Sequence, residues 1–308
     1  MLRHDWSDHC PVEERFPSVY PCANMVNELN FKQELTAVFG IPVAENPTQA
    51  MVEAAYRHHG LDWRYLTVEV SPADLGVAVA GARAMGFRGF NLTIPHKLAV
   101  MEHLDRIGDS ARVIGAVNTV VREGEDLVGE NTDGKGFLES LRQYRDPTGT
   151  RVLILGAGGA ARAISVELAL AGARAVTVVN RSQDRGRELV AHLSAQTGTK
   201  AEYVPWRDAI SVPNDSDIVI NATSIGLYPD VDSVPPVDFG TLRPEMLVAD
   251  VIPNPPRTPF LKRAEKQGCE TIDGLGMLVN QGRIGIRYWA GIDPDASVMR
   301  ESLEALFK

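Results

Sequence analysis

A glycine-rich turn at residues 156–161 is the segment whose composition and spacing most directly suggest chemistry. It reads Gly156-Ala157-Gly158-Gly159-Ala160-Ala161 and lies between a short apolar run and a helical pattern. In a strand–turn–helix unit the first glycine makes the tight turn, the second lets a pyrophosphate approach the backbone, and the small third residue allows close packing. The phosphates then lie at the helix N-terminus. We therefore predict that residues 156–160 bind a dinucleotide, although such turns also occur for packing alone.

The end of the next predicted strand carries groups suited to a phosphate. It reads Asn180-Arg181-Ser182, and Arg185 follows on the next helix. A site for NAD would normally hold an acid here, about 20 residues past the glycines, to bind the ribose 2′-hydroxyl. Arginine instead offers a planar fork of donors that matches phosphate oxygens. These four residues are predicted to bind NADP; Asp184 is an opposing charge, and solvated surface arginines are the alternative.

Composition and charge narrow the functional classes. The 308 residues suggest about two domains, and 44% hydrophobic with 23% charged residues is typical of a globular protein. A net charge of −9 removes the usual electrostatic basis for binding nucleic acid. Cys10, Cys22 and Cys269 form no disulfide framework, and no run is long and apolar enough to span a bilayer. We expect a cytoplasmic monomer or homodimer with a small-molecule substrate and with neither a nucleic-acid nor a membrane partner.

Short apolar runs alternate with helical patterns from Leu35 onward, which is typical of a parallel α/β sheet. Strands are predicted at 35–39, 63–70, 89–94, 152–155, 175–179, 218–220 and 247–251, and a hairpin at 118–131. Helices are predicted at 49–59, from Ser71, from the glycine turn to about 171, and at 184–196, 276–289 and 298–307.

These elements predict an α/β fold class with two domains. An N-terminal α/β substrate-binding catalytic domain covers 35–136, and a Rossmann-type, doubly wound NADP-binding domain covers 137–275. The C-terminal helices, within 276–308, are predicted to pack back on the first domain. Residues 1–34 are predicted to be an N-terminal extension.

Five further segments occur in the order found in shikimate dehydrogenases. They read Asn91-Leu-Thr-Ile-Pro-His-Lys97, Gly115-Ala-Val-Asn-Thr119, Asn131-Thr-Asp-Gly134, Asn221-Ala-Thr-Ser224 and Asp273-Gly-Leu-Gly-Met-Leu-Val-Asn-Gln281. Together with the glycine turn, they make this chain closely resemble the shikimate dehydrogenase family (shikimate/quinate dehydrogenases) from about Leu35 to Gly291.

The resemblance implies a catalytic pair. In that family the lysine of the first segment and the aspartate of the third carry the reaction, so Lys97 and Asp133 would do so here. Reduction of a ketone by hydride leaves an alkoxide, so a positioned acid must deliver a proton, and the reverse reaction needs a base. An ammonium can supply that proton while a nearby carboxylate positions it.

The resemblance also implies ligand contacts. Hydrogen bonds to the hydroxyls of a polyol ring would come from Thr93, Asn118, Asp133 and Gln281. Such a site rejects analogues that lack the hydroxyl, and the helix of Gln281 would close a cleft between the domains. The further cofactor contacts implied by the family are Thr223, Val251, Gly274 and Met277.

Two segments depart from the family pattern. The family usually shows Gly-x-Pro-x-x-His-Ser-x-Ser-Pro near its start, where the serines hold the substrate carboxylate, whereas this chain reads Gly40-Ile-Pro-Val-Ala-Glu-Asn-Pro-Thr-Gln49. Thr48 keeps a hydroxyl and Asn46 keeps a donor, so both are predicted to bind the substrate. Glu45 brings a negative charge close to the expected carboxylate. Pro253 stands where the family commonly has a tyrosine, and such changes can shift the preferred acid.

The resemblance therefore implies an NADP-dependent shikimate dehydrogenase, which interconverts shikimate and 3-dehydroshikimate by reversible hydride transfer in aromatic amino acid biosynthesis. A quinate or quinate/shikimate dehydrogenase, with NAD as a cofactor option, is the alternative enzyme. A non-catalytic nucleotide sensor is the alternative from another class, and the retained Lys97 and Asp133 argue against it. The seven histidines show no metal-ligand spacing, so no metal is expected.

Overall fold

Two six-stranded sheets carry the fold. The computed structural model describes residues 31–307, so most of the predicted extension over 1–34 lies outside the described residues. In chain order the strands are β1 (Glu34–Gly40), β2 (Trp63–Glu69), β3 (Gly89–Leu92), β4 (Arg106–Ile107), β5 (Thr119–Glu123), β6 (Asp126–Glu130), β7 (Arg151–Leu155), β8 (Ala175–Asn180), β9 (Lys200–Pro205), β10 (Ile210–Ser211), β11 (Ile218–Asn221), β12 (Val237–Asp238), β13 (Leu247–Asp250) and β14 (Glu270–Ile272).

Helices follow most of these strands. They are α1 (Thr48–His58), α2 (Leu75–Ala84), α3 (His96–Ala99), α4 (Asp109–Ile114), α5 (Thr132–Leu141), α6 (Gly159–Leu170), α7 (Gln183–Thr197), α8 (Pro259–Lys266), α9 (Gly274–Ala290) and α10 (Ala296–Leu306). The helix predicted from Ser71 begins instead with a short 3₁₀ turn, Pro72–Asp74, because the Ser71 hydroxyl donates to the Asp74 carboxylate and does not cap a backbone N–H. In the described chain, no helix is both long and apolar enough to cross a membrane.

The first sheet is mixed and has the order β2-β1-β3-β5-β6-β4. Strand β1 runs parallel to β2 and β3, while β5 runs antiparallel to both β3 and β6. Strands β5 and β6 form the predicted hairpin, and Gly124 in its turn has a positive φ of 64°. Since β3 and β6 run in the same direction on either side of β5, their carboxyl ends meet at one edge of the sheet.

The second sheet is entirely parallel, with the order β14-β13-β11-β7-β8-β9. This is the doubly wound Rossmann order, in which the direction of winding reverses between β7 and β11. Its central strands are buried on both faces, as their continuous apolar sequence predicts. The edge strands β9 and β14 were not predicted, because β9 alternates exposed polar residues and β14 has three residues.

Helix α5 connects the two sheets, and the sequence did not predict it. Gly134 and Gly136 lower its intrinsic helix propensity, but both permit close packing. A Cβ at Gly134 would lie 2.4 Å from the Ala163 carbonyl oxygen on α6. A Cβ at Gly136 would lie 2.7 Å from the Gln281 backbone nitrogen on α9. Helix α5 is therefore held between α6 and α9. The predicted domain boundary at residue 136 falls within this helix, so the domain limits stay a prediction.

The C-terminal helices return to the first sheet, which confirms that prediction. Helix α9 packs against α5, α1 and β5, and α10 packs against α1. The Trp289 indole, near the end of α9, donates a hydrogen bond of 2.9 Å to the Val120 carbonyl on β5. Gln281 is thereby brought from the C-terminal region to the edge where β3 and β6 end.

Candidate active site

Lys97 and Asp133 form an ion pair at the carboxyl edge of the first sheet. The Lys97 ammonium donates a hydrogen bond of 2.6 Å to Asp133 Oδ2. Their side chains are 34% and 20% exposed, so the pair is accessible to a ligand but partly shielded from water. In this arrangement the Lys97 ammonium can deliver a proton, and its neutral amine can accept one, while the Asp133 carboxylate holds the lysine side chain in place.

The other carboxylate oxygen is fixed by a buried network. Asn118 donates from Nδ2 to Asp133 Oδ1 at 2.9 Å, and Asn118 Oδ1 accepts from the Thr132 backbone N–H at 2.7 Å. Helix α5 begins at this point because the Asn131 side chain accepts from the backbone N–H groups of Asp133 and Gly134. Both the position of Asp133 and the orientation of its carboxylate are therefore specified by neighbouring side chains.

A cavity of about 170 Å³ lies above this pair. Every residue predicted to contact the substrate lines it, together with the catalytic pair: Asn46, Thr48, Thr93, Lys97, Asn118, Asp133 and Gln281. Its other lining residues were not predicted: Val38, Asn91, Leu92 and Leu278. The cavity is small, mainly polar and connected to the proton-donating group, which suits a ligand with several hydroxyls.

Asn91 is the principal residue that the sequence analysis missed. Its Oδ1 accepts from the Tyr65 hydroxyl at 2.6 Å, and its Nδ2 donates to the Asn118 carbonyl and the Thr119 hydroxyl. Burial raises the pKa of Tyr65 well above its usual range, so its hydroxyl stays protonated as the donor. The two-residue period of a strand could have identified Asn91, because it shares a face with Thr93.

Gln281 reaches the cavity because α5 and α9 approach closely at Gly136. Its Oε1 accepts a long hydrogen bond of 3.4 Å from the Thr132 hydroxyl, and its amide group on Nε2 can donate to a ligand. The side chain is 7% exposed. The sequence predicted this role, while the close approach of the helices explains it.

One departure from the family pattern, the segment at residues 40–49, lies at the cavity rim, where Asn46 and Thr48 line the cavity. Pro253, the other departure, is not among the residues that line it. Asn46 Oδ1 accepts from the Thr48 backbone N–H at 2.9 Å. The Asn46 amide nitrogen is on the other side of the amide group and takes no part in this hydrogen bond. Thr48 is buried and begins α1. Glu45 is exposed and lines a neighbouring groove with Asn46, not the cavity itself. Glu45 is therefore beside the cavity and not part of its wall.

A larger cleft of about 600 Å³ borders Lys97 and the glycine turn. Gly156 has a positive φ of 109°, and a Cβ there would lie 2.9 Å from the Ala222 carbonyl oxygen. At Gly158 and Gly159 a Cβ would meet no atom within 4 Å, so the space in front of the α6 N-terminus is open. The exposed N–H groups and the open space fit a pyrophosphate.

Arg185 lines this cleft, while Asn180, Arg181 and Ser182 lie at the end of β8 outside its lining residues. Arg181 is exposed, and Ser182 caps α7 by accepting from the Arg185 N–H. The sequence analysis missed Arg162 and Glu188, which form an ion pair of 3.2 Å in the wall. The available signal was that Arg162 is one of two charged residues on the mainly apolar α6, the other being the buried Glu167.

The remaining predicted cofactor residues lie beside the ends of β11 and β13. Thr223 contacts the glycine turn, since a Cβ at Gly156 would lie 3.1 Å from its Cγ2. Gly274 packs against the backbone of Val251, and Met277 follows one turn later on α9. None of these four residues is in the wall of the 600 Å³ cleft. They border the strand ends next to it.

Three family models match this chain. They are the shikimate dehydrogenase substrate binding domain at residues 38–120, the shikimate / quinate 5-dehydrogenase at 140–228, and the shikimate 5′-dehydrogenase C-terminal domain at 274–304. A curated shikimate dehydrogenase (NADP(+)) from Desulforamulus reducens is 40% identical over 279 residues, which cover 89% of this chain and 96% of that protein.

Solved structures share both the fold and the sequence. The ligand-free 5-ketofructose reductase of Gluconobacter sp. strain CHM43 has a TM-score of 0.89 and 54% identity, covering 90% of this chain and 100% of that one. The shikimate 5-dehydrogenase of Thermus thermophilus in complex with NADP(H) and shikimate has a TM-score of 0.76 and 34% identity, covering 89% and 99%. On these matches, the chain belongs to the shikimate dehydrogenase family.

Proposed function

We propose that this protein is an NADP-dependent shikimate dehydrogenase, which reduces 3-dehydroshikimate to shikimate and catalyses the reverse reaction. The observation that carries the proposal is the Lys97–Asp133 ion pair of 2.6 Å. Both residues line the small polar cavity, and Lys97 also lines the dinucleotide cleft. Curated relatives with this name and cofactor, at 40% identity, support it. They do not favour the quinate alternative.

Lys97 acts as the proton donor in the reductive direction. Bound NADPH supplies the hydride, and the reduced carbonyl becomes an alkoxide that needs a proton. The Lys97 ammonium delivers this proton, and in the reverse direction its neutral amine accepts one. Asp133 orients the ammonium, while Asn118 holds the opposite carboxylate oxygen and prevents the carboxylate from turning away.

The substrate ring is held by the neutral donors and acceptors of the cavity. Thr93, Asn118 and Gln281 bind ring hydroxyls, and Asn46 with Thr48 binds the carboxylate at the rim. Neutral donors suffice for this task because a hydrogen bond to a charged carboxylate is stronger than one between two neutral groups. Glu45 does not line this cavity, so its negative charge is not part of the wall that faces the ligand.

The cofactor is held from the glycine turn outward. Residues 156–160 receive the pyrophosphate, and Asn180, Arg181, Ser182 and Arg185 bind the 2′-phosphate. Thr223, Val251, Gly274 and Met277 border the nicotinamide half. The exposed Arg181 and the cleft-lining Arg185 support NADP over NAD because guanidinium groups complement phosphate.

A second candidate is reduction of 5-ketofructose, an uncharged polyhydroxy ketone. The 54% identity to the Gluconobacter reductase favours it. The segment at residues 40–49 also favours it, because Asn46 stands there in place of the family serine that holds a carboxylate. Lys97 is the single cation among the described residues of the cavity wall. The described wall therefore holds no second positive charge that would favour a negatively charged substrate over an uncharged one.

The rate of NADPH oxidation with each ketone separates these candidates. The proposal expects the highest kcat/KM with 3-dehydroshikimate and a lower value with 3-dehydroquinate and 5-ketofructose, and lower values with NADH than with NADPH. A kcat/KM at least about tenfold higher for 5-ketofructose would overturn the shikimate assignment and support the second candidate. Activity with none of the three ketones would overturn both.

The proposal includes a cytoplasmic monomer or homodimer. Cys269, the cysteine within the described part of the chain, is a buried free thiol whose Sγ contacts the Arg243 carbonyl. A free thiol fits a reducing compartment. The domain limits of 35–136 with 276–308, and 137–275, are proposed on the same footing.

A further inference from the structure

Asp250 is a buried carboxylate at the carboxyl end of β13, outside the proposed proton-transfer pair. It is 1% exposed. Its Oδ1 accepts from Asn221 Nδ2 at 3.0 Å and from the Ile252 backbone N–H at 3.1 Å, and its Oδ2 accepts from the Thr258 hydroxyl at 2.8 Å. Burial raises the pKa of this carboxyl to about 6, against the lowering effect of these hydrogen bonds. Burial therefore makes ionisation of this carboxyl group cost free energy, and both of its oxygens accept hydrogen bonds.

The Asn221 amide transmits this orientation to the loop that follows β11. Because its Nδ2 donates to Asp250, its Oδ1 faces the other way and accepts from the Thr223 backbone N–H and hydroxyl, at 3.2 and 2.7 Å. The Thr223 hydroxyl in turn accepts from the Ile225 N–H at 3.1 Å. This loop contacts the glycine turn at Gly156, so the hydrogen-bonded series that starts at Asp250 ends beside the glycine turn.

The same carboxylate also shapes the loop that follows β13. Its bond to the Ile252 N–H fixes residues 251–252, against which α9 begins, since a Cβ at Gly274 would lie 2.3 Å from the Ile252 carbonyl. Thr258, which donates to Asp250, caps α8 by accepting from the Leu261 N–H. One side chain therefore organises both strand ends and the start of α8.

We propose that Asp250 is a positioning residue that holds the loops after β11 and β13 in the shape that receives the nicotinamide half of the cofactor. In a doubly wound sheet the dinucleotide crosses the carboxyl ends of the strands at the point of reversal. With the pyrophosphate at the glycine turn and the 2′-phosphate beside β8, the other half extends over β11 and β13. The inference rests on the proposed NADP cofactor.

Two ligands separate this role from general support of the fold. NADP⁺ carries nicotinamide, whereas 2′-phospho-ADP-ribose has the same adenosine, 2′-phosphate and pyrophosphate without it. Their dissociation constants are measured by calorimetry on the full chain, for wild type, Asp250→Leu, Asp250→Asn and Asn221→Ala. Leucine removes every acceptor at similar volume, while the asparagine amide oxygen can still accept from Asn221 and Ile252.

We expect Asp250→Leu and Asn221→Ala to weaken NADP⁺ about tenfold more than 2′-phospho-ADP-ribose, the size expected when hydrogen-bonded buried groups lose their partner. Asp250→Asn should keep the wild-type ratio within about twofold. The matched control is Asp217→Asn, because Asp217 accepts from the Arg151 N–H at the opposite end of the sheet; it should leave the ratio unchanged. If Asp250→Leu does not fold, Asn221→Ala carries the test.

Equal weakening of both ligands, or an unchanged ratio in Asn221→Ala, would overturn the positioning role. So would an Asp250→Asn variant as impaired as Asp250→Leu. Failure of the wild type to bind either ligand would overturn the proposed cofactor and this inference with it. Wild-type binding with an unchanged ratio in the variants overturns the positioning role alone.

Discussion

Lys97 Nζ lies 2.6 Å from Asp133 Oδ2, although the two residues are 36 positions apart in the chain. Lys97 is in α3, just after β3, and Asp133 is in α5, just after β6. Strands β3 and β6 are both antiparallel to β5, so their carboxyl ends lie at the same edge. The antiparallel hairpin thus brings together two groups that proton transfer requires.

Thr48 tests how the substrate is held at the cavity rim. Thr48→Val deletes a hydroxyl at nearly constant shape and should cost about 1–3 kcal/mol of substrate binding, roughly a 5- to 150-fold rise in KM. The kcat should change little, because a remote carboxylate is held similarly in the ground and transition states. Thr48→Ser, which keeps the hydroxyl, is the control. An unchanged substrate KM in Thr48→Val would show that the Thr48 hydroxyl does not bind the substrate.

Restoring the family pattern tests whether the rim has changed its preferred substrate. The double change Glu45→His with Asn46→Ser should raise kcat/KM for 3-dehydroshikimate if the enzyme has moved toward another ketone. It should lower kcat/KM for 5-ketofructose in that case. If 3-dehydroshikimate is already the best substrate, the change should be neutral or harmful for it. No response with any ketone would mean that the segment does not contact the ligand.

The two arginines beside β8 test cofactor choice. Arg181→Ala and Arg185→Ala should each weaken NADPH by about 1.5–3 kcal/mol, the range for a hydrogen bond to a charged group, and leave NADH nearly unchanged. The reason is that the 2′-phosphate exists only in NADPH. Arg187→Ala, an exposed neighbour on α7, is the control and should change neither affinity. Equal losses for NADH and NADPH would assign these arginines to the fold or to the adenosine.

Gly136 tests the close contact that brings Gln281 to the cavity. A Cβ in Gly136→Ala would lie 2.7 Å from the Gln281 nitrogen and 2.8 Å from the Met277 oxygen, both backbone atoms. Overpacking of this kind costs about 1–3 kcal/mol of unfolding free energy, and the displaced Gln281 should raise the substrate KM. Gly81→Ala, in α2, where the nearest atom would be 3.8 Å away, should instead be neutral or stabilising. A Gly136→Ala variant with wild-type stability and KM would contradict the packing argument.

The raised pKa of Asp250 leads us to predict that the free energy of unfolding depends on pH. Its pKa is raised by burial to about 6, so the folded state holds its proton more tightly than the unfolded state, and this residue's contribution to stability falls as pH rises. Between pH about 4.5 and about 7.5 the wild type should lose about 2 kcal/mol relative to Asp250→Asn. Urea unfolding of both proteins at several pH values measures this difference. A difference that is constant with pH would refute the raised pKa.

The sequence predicted those parts of the site that lie within continuous motifs. Lys97, Asn118 and Asp133 each belong to a short segment with the family spacing, and the glycine turn occurs between a recognisable strand and helix. Their mutual distances were not predictable, because the distances depend on the order of β3, β5 and β6 in the sheet. The role of Asn91 depends on Tyr65, 26 residues away and on β2, which is separated from β3 by β1.

Helix α5 shows why local propensity was insufficient. Gly134 and Gly136 disfavour a helix locally, yet the packing of α6 and α9 requires glycine at both positions. The edge strand β9 was missed for a related reason. Its polar residues face solvent, so it lacks the apolar pattern that identified β7 and β11, and pairing with β8 stabilises it.

The central claim is that Lys97 supplies the proton in NADPH-dependent reduction of a ring ketone. Its most direct test is the kcat for 3-dehydroshikimate reduction by wild type, Lys97→Ala and the control Lys262→Ala, an exposed lysine on α8, with the NADPH dissociation constant measured in parallel. Loss of a general acid should lower kcat by roughly 10²- to 10⁴-fold, with NADPH affinity unchanged within about twofold and wild-type kcat in Lys262→Ala. A Lys97→Ala variant that keeps the wild-type kcat would contradict the account.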